Sequence, residues 1–222
     1  MPPERVPARR AGAPPAVKVC GVTVPEDARA CAALGVWAVG VVFAPGSPRR
    51  VDERAAAAVC AALPDDVARV GVFVDAAPAE MAALAGRVGL THLQVHGATD
   101  PAEARAASGL PVIAGVRVDG PAALDRARAS AADLVLLDAA VPGLHGGTGT
   151  PFDWSLLEDD GLGRPYGLAG GLRAETVGEA LERLAPVLVD VSSGVEASPG
   201  RKDHDRLRAF LGAVGDAGRR AA

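Results

Sequence analysis

Eight short apolar runs alternate with helical segments along a 222-residue chain, and this predicts an α/β protein folded as a single-domain (β/α)8 TIM barrel. Each run is brief and apolar on both faces, as in a parallel sheet covered on both sides. The last two runs both stop at small residues: Arg164–Ala169 at Gly170-Gly171, and Val187–Val191 at Ser192-Ser193-Gly194. Paired strand–glycine–helix units after the final two strands are where such barrels build an anion site from backbone N–H groups. A single Ser-Gly turn after a strand is an ordinary turn. The repeat is what points to a ligand.

The elements follow in order. Val17–Cys20 reads as the first strand, followed by a helix over Pro25–Leu34 with proline in its first turn. Ala38–Phe43 is the second strand and Asp52–Ala62 its helix. Arg69–Val74 with Pro78–Arg87, His92–His96 with Pro101–Ala107, and Pro111–Val116 with Ala122–Ser130 repeat the unit. Leu134–Asp138, Arg164–Ala169 and Val187–Val191 are strands six to eight, with helical sequence from Ala174 after the seventh. The helices are rich in alanine, with arginine and acids for an outer face. Residues 16–214 are expected to form the barrel. The first fifteen residues, with five prolines and three arginines but no apolar core, are expected to be a disordered extension rather than a secretory signal. Residues 215–222 are expected to be a flexible tail.

Composition bounds the function. The chain is 49% hydrophobic but only 3% aromatic, so its core must be built from Ala, Val and Leu. A net charge of −4 gives no support for nucleic-acid binding, and an anionic substrate would need local positive charge. Three cysteines, Cys20, Cys31 and Cys60, are too few for a disulfide framework and suit a reducing, cytoplasmic setting. No run approaches the length of a membrane span. Of 23 basic residues only Lys18 and Lys202 are lysine, which singles out two positions for a compact point charge.

Side chains two apart on a strand share a face. Lys18 and Cys20 therefore point the same way, as do His92, Gln94 and His96, and likewise Leu134, Leu136 and Asp138. Cys20, His96 and Asp138 stand at the carboxyl ends of their strands, where barrel active sites lie. A lone cysteine is otherwise a small buried hydrophobe, and Gln94 and His96 serve equally as satisfied core groups. An acid ending ADLVLLD is costly unless the barrel mouth is wet or the acid protonated. One of Arg49 and Arg50 could clamp a carboxylate; otherwise they are solvated loop charges. Gly143–Gly149 lacks a P-loop ending and reads as a lid, a phosphate-side loop or a plain surface loop. His92, His145 and His204 show no metal-ligand spacing, so no metal site is expected.

Seven segments in order carry a resemblance: VKVCG (Val17–Gly21), VGVVFAPGSPRR (Val39–Arg50), RVGVFV (Arg69–Val74), LQVHG (Leu93–Gly97), LLDAAVPGLHGGTGTPFDW (Leu136–Trp154), LAGGLRAETV (Leu168–Val177) and VDVSSGVEASPGRKDHD (Val189–Asp205). Together they resemble the phosphoribosylanthranilate isomerases of tryptophan biosynthesis, from about Val17 to Phe210. That resemblance implies a cofactor-free barrel that converts N-(5-phosphoribosyl)anthranilate to the 1-deoxyribulose phosphate by an Amadori rearrangement. It implies Cys20 as general base, Asp138 as general acid and Arg49 as the holder of the anthranilate carboxylate. It puts the phosphate on backbone groups around Gly170, Gly171, Ser193 and Gly194, helped by the loop containing Gly147, with Gln94 and His96 near the substrate. Ala169 and Arg173 depart from the Ser and Asn common in the family, and Ala114 from a frequent Lys. The expected partner is the phosphosugar-anthranilate itself, with no nucleic acid and no membrane, in a monomer or homodimer. Lys18 is expected either to supply positive charge to Cys20 or to pair with Asp190. Two rivals stand beside this reading: a dual-substrate barrel isomerase, which would carry aspartate in place of Cys20, and a barrel that only senses a phosphosugar.

Overall fold

In the computed structural model the described residues are 6–8, 12–138 and 162–220. Eight parallel strands close on themselves in chain order. They are β1 (Ala16–Cys20), β2 (Ala38–Val42), β3 (Ala68–Val74), β4 (His92–His96), β5 (Val112–Arg117), β6 (Leu134–Asp138), β7 (Tyr166–Ala169) and β8 (Leu188–Val191). Closure is made by β1 on β8, with Lys18 opposite Asp190 and Val19 opposite Val191. The seven helices among the described residues are α1 (Pro25–Ala33), α2 (Glu53–Ala61), α3 (Pro78–Val88), α4 (Pro101–Ser108), α5 (Pro121–Ala129), α6 (Ala174–Arg183) and α7 (His204–Arg220).

The elements start and stop where local chemistry allows. Pro opens α1, α3, α4 and α5, where its missing N–H costs nothing. Asp52 and Asp100 cap α2 and α4 through Ala55 N and Ala102 N, both at 2.7 Å. Gly89 and Gly109 end α3 and α4 in the left-handed conformation. The seventh strand begins at Tyr166 rather than at the expected Arg164. Pro165 has no N–H for the ladder, and the Arg164 guanidinium instead donates to Ser130 O and Ala132 O, each at 2.6 Å.

The period of two sorts every strand. Val17, Val19, Val39, Val41, Leu93, Val95, Leu137 and Val189 face outward into the main core with the helices. Ala38, Ala68, Val70, Ile113, Leu134, Leu136 and Leu188 fill the barrel interior. Four polar side chains are buried with them: Lys18, His92, Gln94 and Asp190.

The carboxyl end departs from expectation, while at the amino end residues 1–5 and 9–11 lie outside the described ones. Helix α7 runs to Arg220, with Val214 and Ala217 buried, so the sequence from 215 continues a packed helix instead of a tail. At the other end Val6 packs on the interior cluster and Pro7 and Pro15 are buried. Pro14 lies so close to Gly218 that a Cβ there would come within 2.7 Å of it. Val6 thus covers part of the interior cluster, a contact that the proline-rich sequence does not announce. Removing residues 1–8 is expected to expose that cluster and cost about 1 kcal/mol, a drop of roughly 2–4 °C in melting temperature. An unchanged thermal unfolding curve would show that the segment is not held.

After β8 the chain does not pass directly into a helix. A 3-10 turn over Ser193–Val195 leads into a two-stranded antiparallel hook, β9 (Glu196–Ser198) and β10 (Arg201–Lys202). The buried Asp27 of α1 clasps this hook through Lys202 N, at 2.9 Å, and His204 Nε2, also at 2.9 Å.

Candidate active site

A cavity of about 250 Å³ opens at the carboxyl ends of the strands. Cys20 of β1, Gln94 and His96 of β4 and Asp138 of β6 line it, as the alternation of faces requires. Its far rim is Gly170-Gly171 after β7 and Ser193-Gly194 after β8. Gly170 and Gly171 have φ of 103° and 65°, so the turn that bares their backbone favours glycine at both positions. A Cβ on Gly194 would sit 2.0 Å from Leu172 O, so no side chain fits between the two loops. Gly147 lies outside the described residues. A larger hollow of about 470 Å³ lies alongside, lined by Arg173, Thr176, Ser193, Gly194 and Arg206. It shares Ser193 and Gly194 with the smaller cavity but is lined by neither Cys20 nor Asp138.

Cys20 sits over a buried charge cluster. Lys18 Nζ donates to Asp190 Oδ2 at 2.9 Å, with the lysine fully buried, and its charge also acts on the Cys20 thiol. Of the two expectations raised for Lys18, the pairing with Asp190 is the one the geometry shows. Burial works against its charge, but Asp190 holds it above the ordinary lysine value. Asp190 is pushed upward by burial against the pull of Lys18. Room for this arrangement comes from Gly40, the register partner of Cys20 on β2. A Cβ there would lie 3.1 Å from the sulfur and 3.3 Å from Lys18 Cε.

The thiol itself is not poised as a thiolate. Cys20 is part-exposed to the cavity, yet its surroundings are dry enough that burial lifts its pKa above the ordinary thiol value. Lys18 and Lys202 pull the other way without overcoming it, and Asp190 adds to the rise. His96 is pushed down, by burial first and Lys18 second, so its ring is neutral at neutral pH. It hydrogen-bonds Gln94 Nε2 at 2.8 Å. Alkylation of the free protein by iodoacetamide, which attacks only thiolate, should therefore accelerate about tenfold per pH unit from pH 7 upward. Cys31 and Cys60 should be spared, being buried with thiols pushed up to about 12 and about 11. A rate already level at pH 7, or label on Cys31, would contradict this ordering.

Arg49 stands beside the cavity rather than in its wall. Gly21, with φ of 72°, lets the arginine cross the backbone just after Cys20; a Cβ there would be 2.5 Å from Arg49 Cδ. The guanidinium is engaged by Glu196, Nε to Oε1 at 2.8 Å and Nη2 to Oε2 at 2.6 Å. A ligand carboxylate is left the opposite Nη1–Nη2 edge. Nothing in the sequence singles out Glu196 or the packing of Gly40. For Lys202 the rarity of lysine is the one signal.

The family model described as N-(5'phosphoribosyl)anthranilate (PRA) isomerase matches residues 17–213. The chain belongs to the phosphoribosylanthranilate isomerase family. The curated N-(5'-phosphoribosyl)anthranilate isomerase of Acidithiobacillus ferrooxidans is 48% identical over 200 residues, covering 89% of this chain and 96% of its own. That of Rubrobacter xylanophilus is 46% identical over 201 residues, covering 89% and 98%. A solved phosphoribosyl anthranilate isomerase in complex with reduced 1-(o-carboxyphenylamino)-1-deoxyribulose 5-phosphate is 37% identical, with a TM-score of 0.78 over 90% of this chain and 98% of that one. The Thermotoga maritima enzyme is 39% identical with a TM-score of 0.79 over the same shares, 90% and 98%. In phosphoribosylanthranilate isomerase terms, then, the described carboxyl-end cavity is the place to look for the reaction. Among the described residues no group of His, Cys, Asp and Glu is placed to hold a metal ion.

Proposed function

We propose that Cys20 and Asp138 are the proton-transfer pair with which this chain isomerises N-(5'-phosphoribosyl)anthranilate in tryptophan biosynthesis. One observation carries the assignment: both line a single cavity whose opposite rim is the paired glycine turns after β7 and β8. A sugar phosphate laid across that cavity would put its phosphate at the Gly170-Gly171 and Ser193-Gly194 backbone and its C1–C2 end between the two groups. Two buried acceptors at the cavity, Gln94 Oε1 and Asp190 Oδ1, have no donor among the described residues. They suit the ribose hydroxyls, which would satisfy them.

The chemistry then balances with these side chains alone. Asp138, as the acid, gives its proton to the ribose ring oxygen while the C1–O bond breaks and the nitrogen lone pair forms an iminium ion. Cys20, as thiolate, takes the proton from C2, and the released electron pair neutralises the iminium to an enolamine. Tautomerisation gives the 2-keto product. In the free protein burial keeps the thiol protonated, so the site needs help to ionise it. Lys18 at the sulfur and the positive iminium beside it would both favour the thiolate once substrate is bound. Ionisation, with the thiol proton passing to solvent at the cavity mouth, would thus be tied to ring opening, which protects an idle enzyme from stray alkylation and oxidation.

Arg49 would hold the anthranilate carboxylate on its unused edge. Three free thiols, one of them catalytic, suit a reducing compartment, which supports a cytoplasmic enzyme. Among the described residues no helix is long and apolar enough to cross a membrane. A monomer or homodimer remains the reading of its assembly; one solved relative is described as monomers of the dimeric Thermotoga maritima enzyme. The test is turnover of freshly made phosphoribosylanthranilate, followed by loss of its anthranilate fluorescence. A pure, folded protein that leaves the signal unchanged would overturn the reading.

A further inference from the structure

We infer that Glu196, anchored by Lys202, is a positioning residue that presets Arg49 for the substrate's carboxylate. The inference rests on the isomerase reading and on the place given to Arg49 within it. Glu196 is almost fully buried, yet its carboxylate accepts from four donors. Arg49 supplies two, at 2.8 and 2.6 Å; Lys202 Nζ gives the third at 2.9 Å and Gly200 N the fourth at 3.2 Å. A carboxylate so engaged cannot swing. Burial works against its charge, but Arg49 and Lys202 more than offset that and hold Glu196 below the ordinary carboxyl range.

Lys202 ties this fork to the catalytic strands. Its side chain is fully buried, and its three protons match three acceptors: Cys20 O at 2.7 Å, Ser192 O at 3.2 Å and Glu196 Oε1. One ammonium thus links the end of the base-bearing strand, the start of the expected phosphate loop and the partner of Arg49. Ser192 Oγ adds a second tether to Cys20 O, at 3.1 Å.

The physical gain is preorganisation. A free arginine side chain samples many rotamers, and that freedom is lost when it grips a ligand. Held by Glu196 on its Nε–Nη2 edge, Arg49 has already lost most of it before substrate arrives. Its other edge remains a planar fork for a second carboxylate. Removing the charge of Glu196 should therefore weaken recognition of the anthranilate end and leave recognition of the phosphate alone.

The experiment is a double-mutant cycle in the full-length protein. Glu196→Gln keeps the shape while removing the charge and one of the two acceptor oxygens. It should raise KM for phosphoribosylanthranilate about tenfold, with kcat lowered much less. Inhibition by ribose 5-phosphate, which has no aryl carboxylate, should be unchanged. In an Arg49→Ala background, Glu196→Gln should add less than about twofold, because its effect passes through the arginine. Equal loss in both backgrounds, or a parallel loss of ribose 5-phosphate inhibition, would show that Glu196 merely supports the fold. If the Gln protein does not fold, Glu196→Asp, which keeps the charge but shortens the reach, runs the same cycle and separates the same two outcomes. Wild-type protein without turnover would instead sink the isomerase reading, and an Arg49→Ala protein with normal KM would sink the placing of Arg49.

Discussion

Cys20→Ala and Asp138→Asn are each expected to cut kcat by roughly 10²–10⁴-fold or more, the range for losing a positioned proton donor or acceptor. Affinity for a reduced product analogue should stay close to wild type, because neither group is assigned ground-state binding. The geometry makes the pair separable from stability. Cys20 is part-exposed to the cavity and Asp138 lies at the exposed end of β6, so neither substitution opens a hole in the main core. Single-turnover measurements with saturating substrate would isolate the chemical step. A Cys20→Ala protein that turns over near the wild-type rate would remove the base from the mechanism, whatever family the chain belongs to.

Ser193→Asp should abolish productive binding without unfolding the barrel. Ser193 begins the 3-10 turn after β8 and lines the cavity rim with Gly194. An added carboxylate within about 4 Å of a phosphate would oppose each negative charge by roughly 4 kcal/mol at the effective dielectric of a protein surface. KM should rise by two orders of magnitude or more, and inorganic phosphate should cease to inhibit. The melting temperature should hold, since the change sits in a loop. Unchanged kinetics would move the phosphate away from these turns.

Much of the site is legible in the sequence, and the reasons are local. Alternation of faces places Cys20, Gln94, His96 and Asp138 on the barrel's inner side, and position along each strand places three of them at one end. Glycines after β7 and β8 mark the rim. What escapes depends on residues far apart in the chain. Glu196 meets Arg49 across 147 positions, and Lys202 reaches Cys20 O across 182. No spacing rule encodes such pairs. Gly40 reads in sequence as an ordinary strand glycine, and only the register with Cys20 shows that its missing side chain makes room for the sulfur and for Lys18. The direction of the thiol's shift escapes as well. Mechanism alone argues for a lowered value, whereas the dry wall around Cys20 raises it. At the two ends, proline content hides the packing of Val6, and glycine content hides the length of α7.

The ion pair inside the barrel also sets an order of events during synthesis. Lys18 and Asp190 are separated by 172 positions. At ribosomal rates of about 5–20 residues per second, the lysine leaves the ribosome roughly 10–30 s before its counter-ion. Closing the barrel's interior around an unpaired ammonium would cost several kcal/mol. In a nascent chain still lacking β8, an unpaired Lys18 would therefore oppose drying of the inner surface around β1. The same charge would then count against premature closure until Asp190 is present to pair with it.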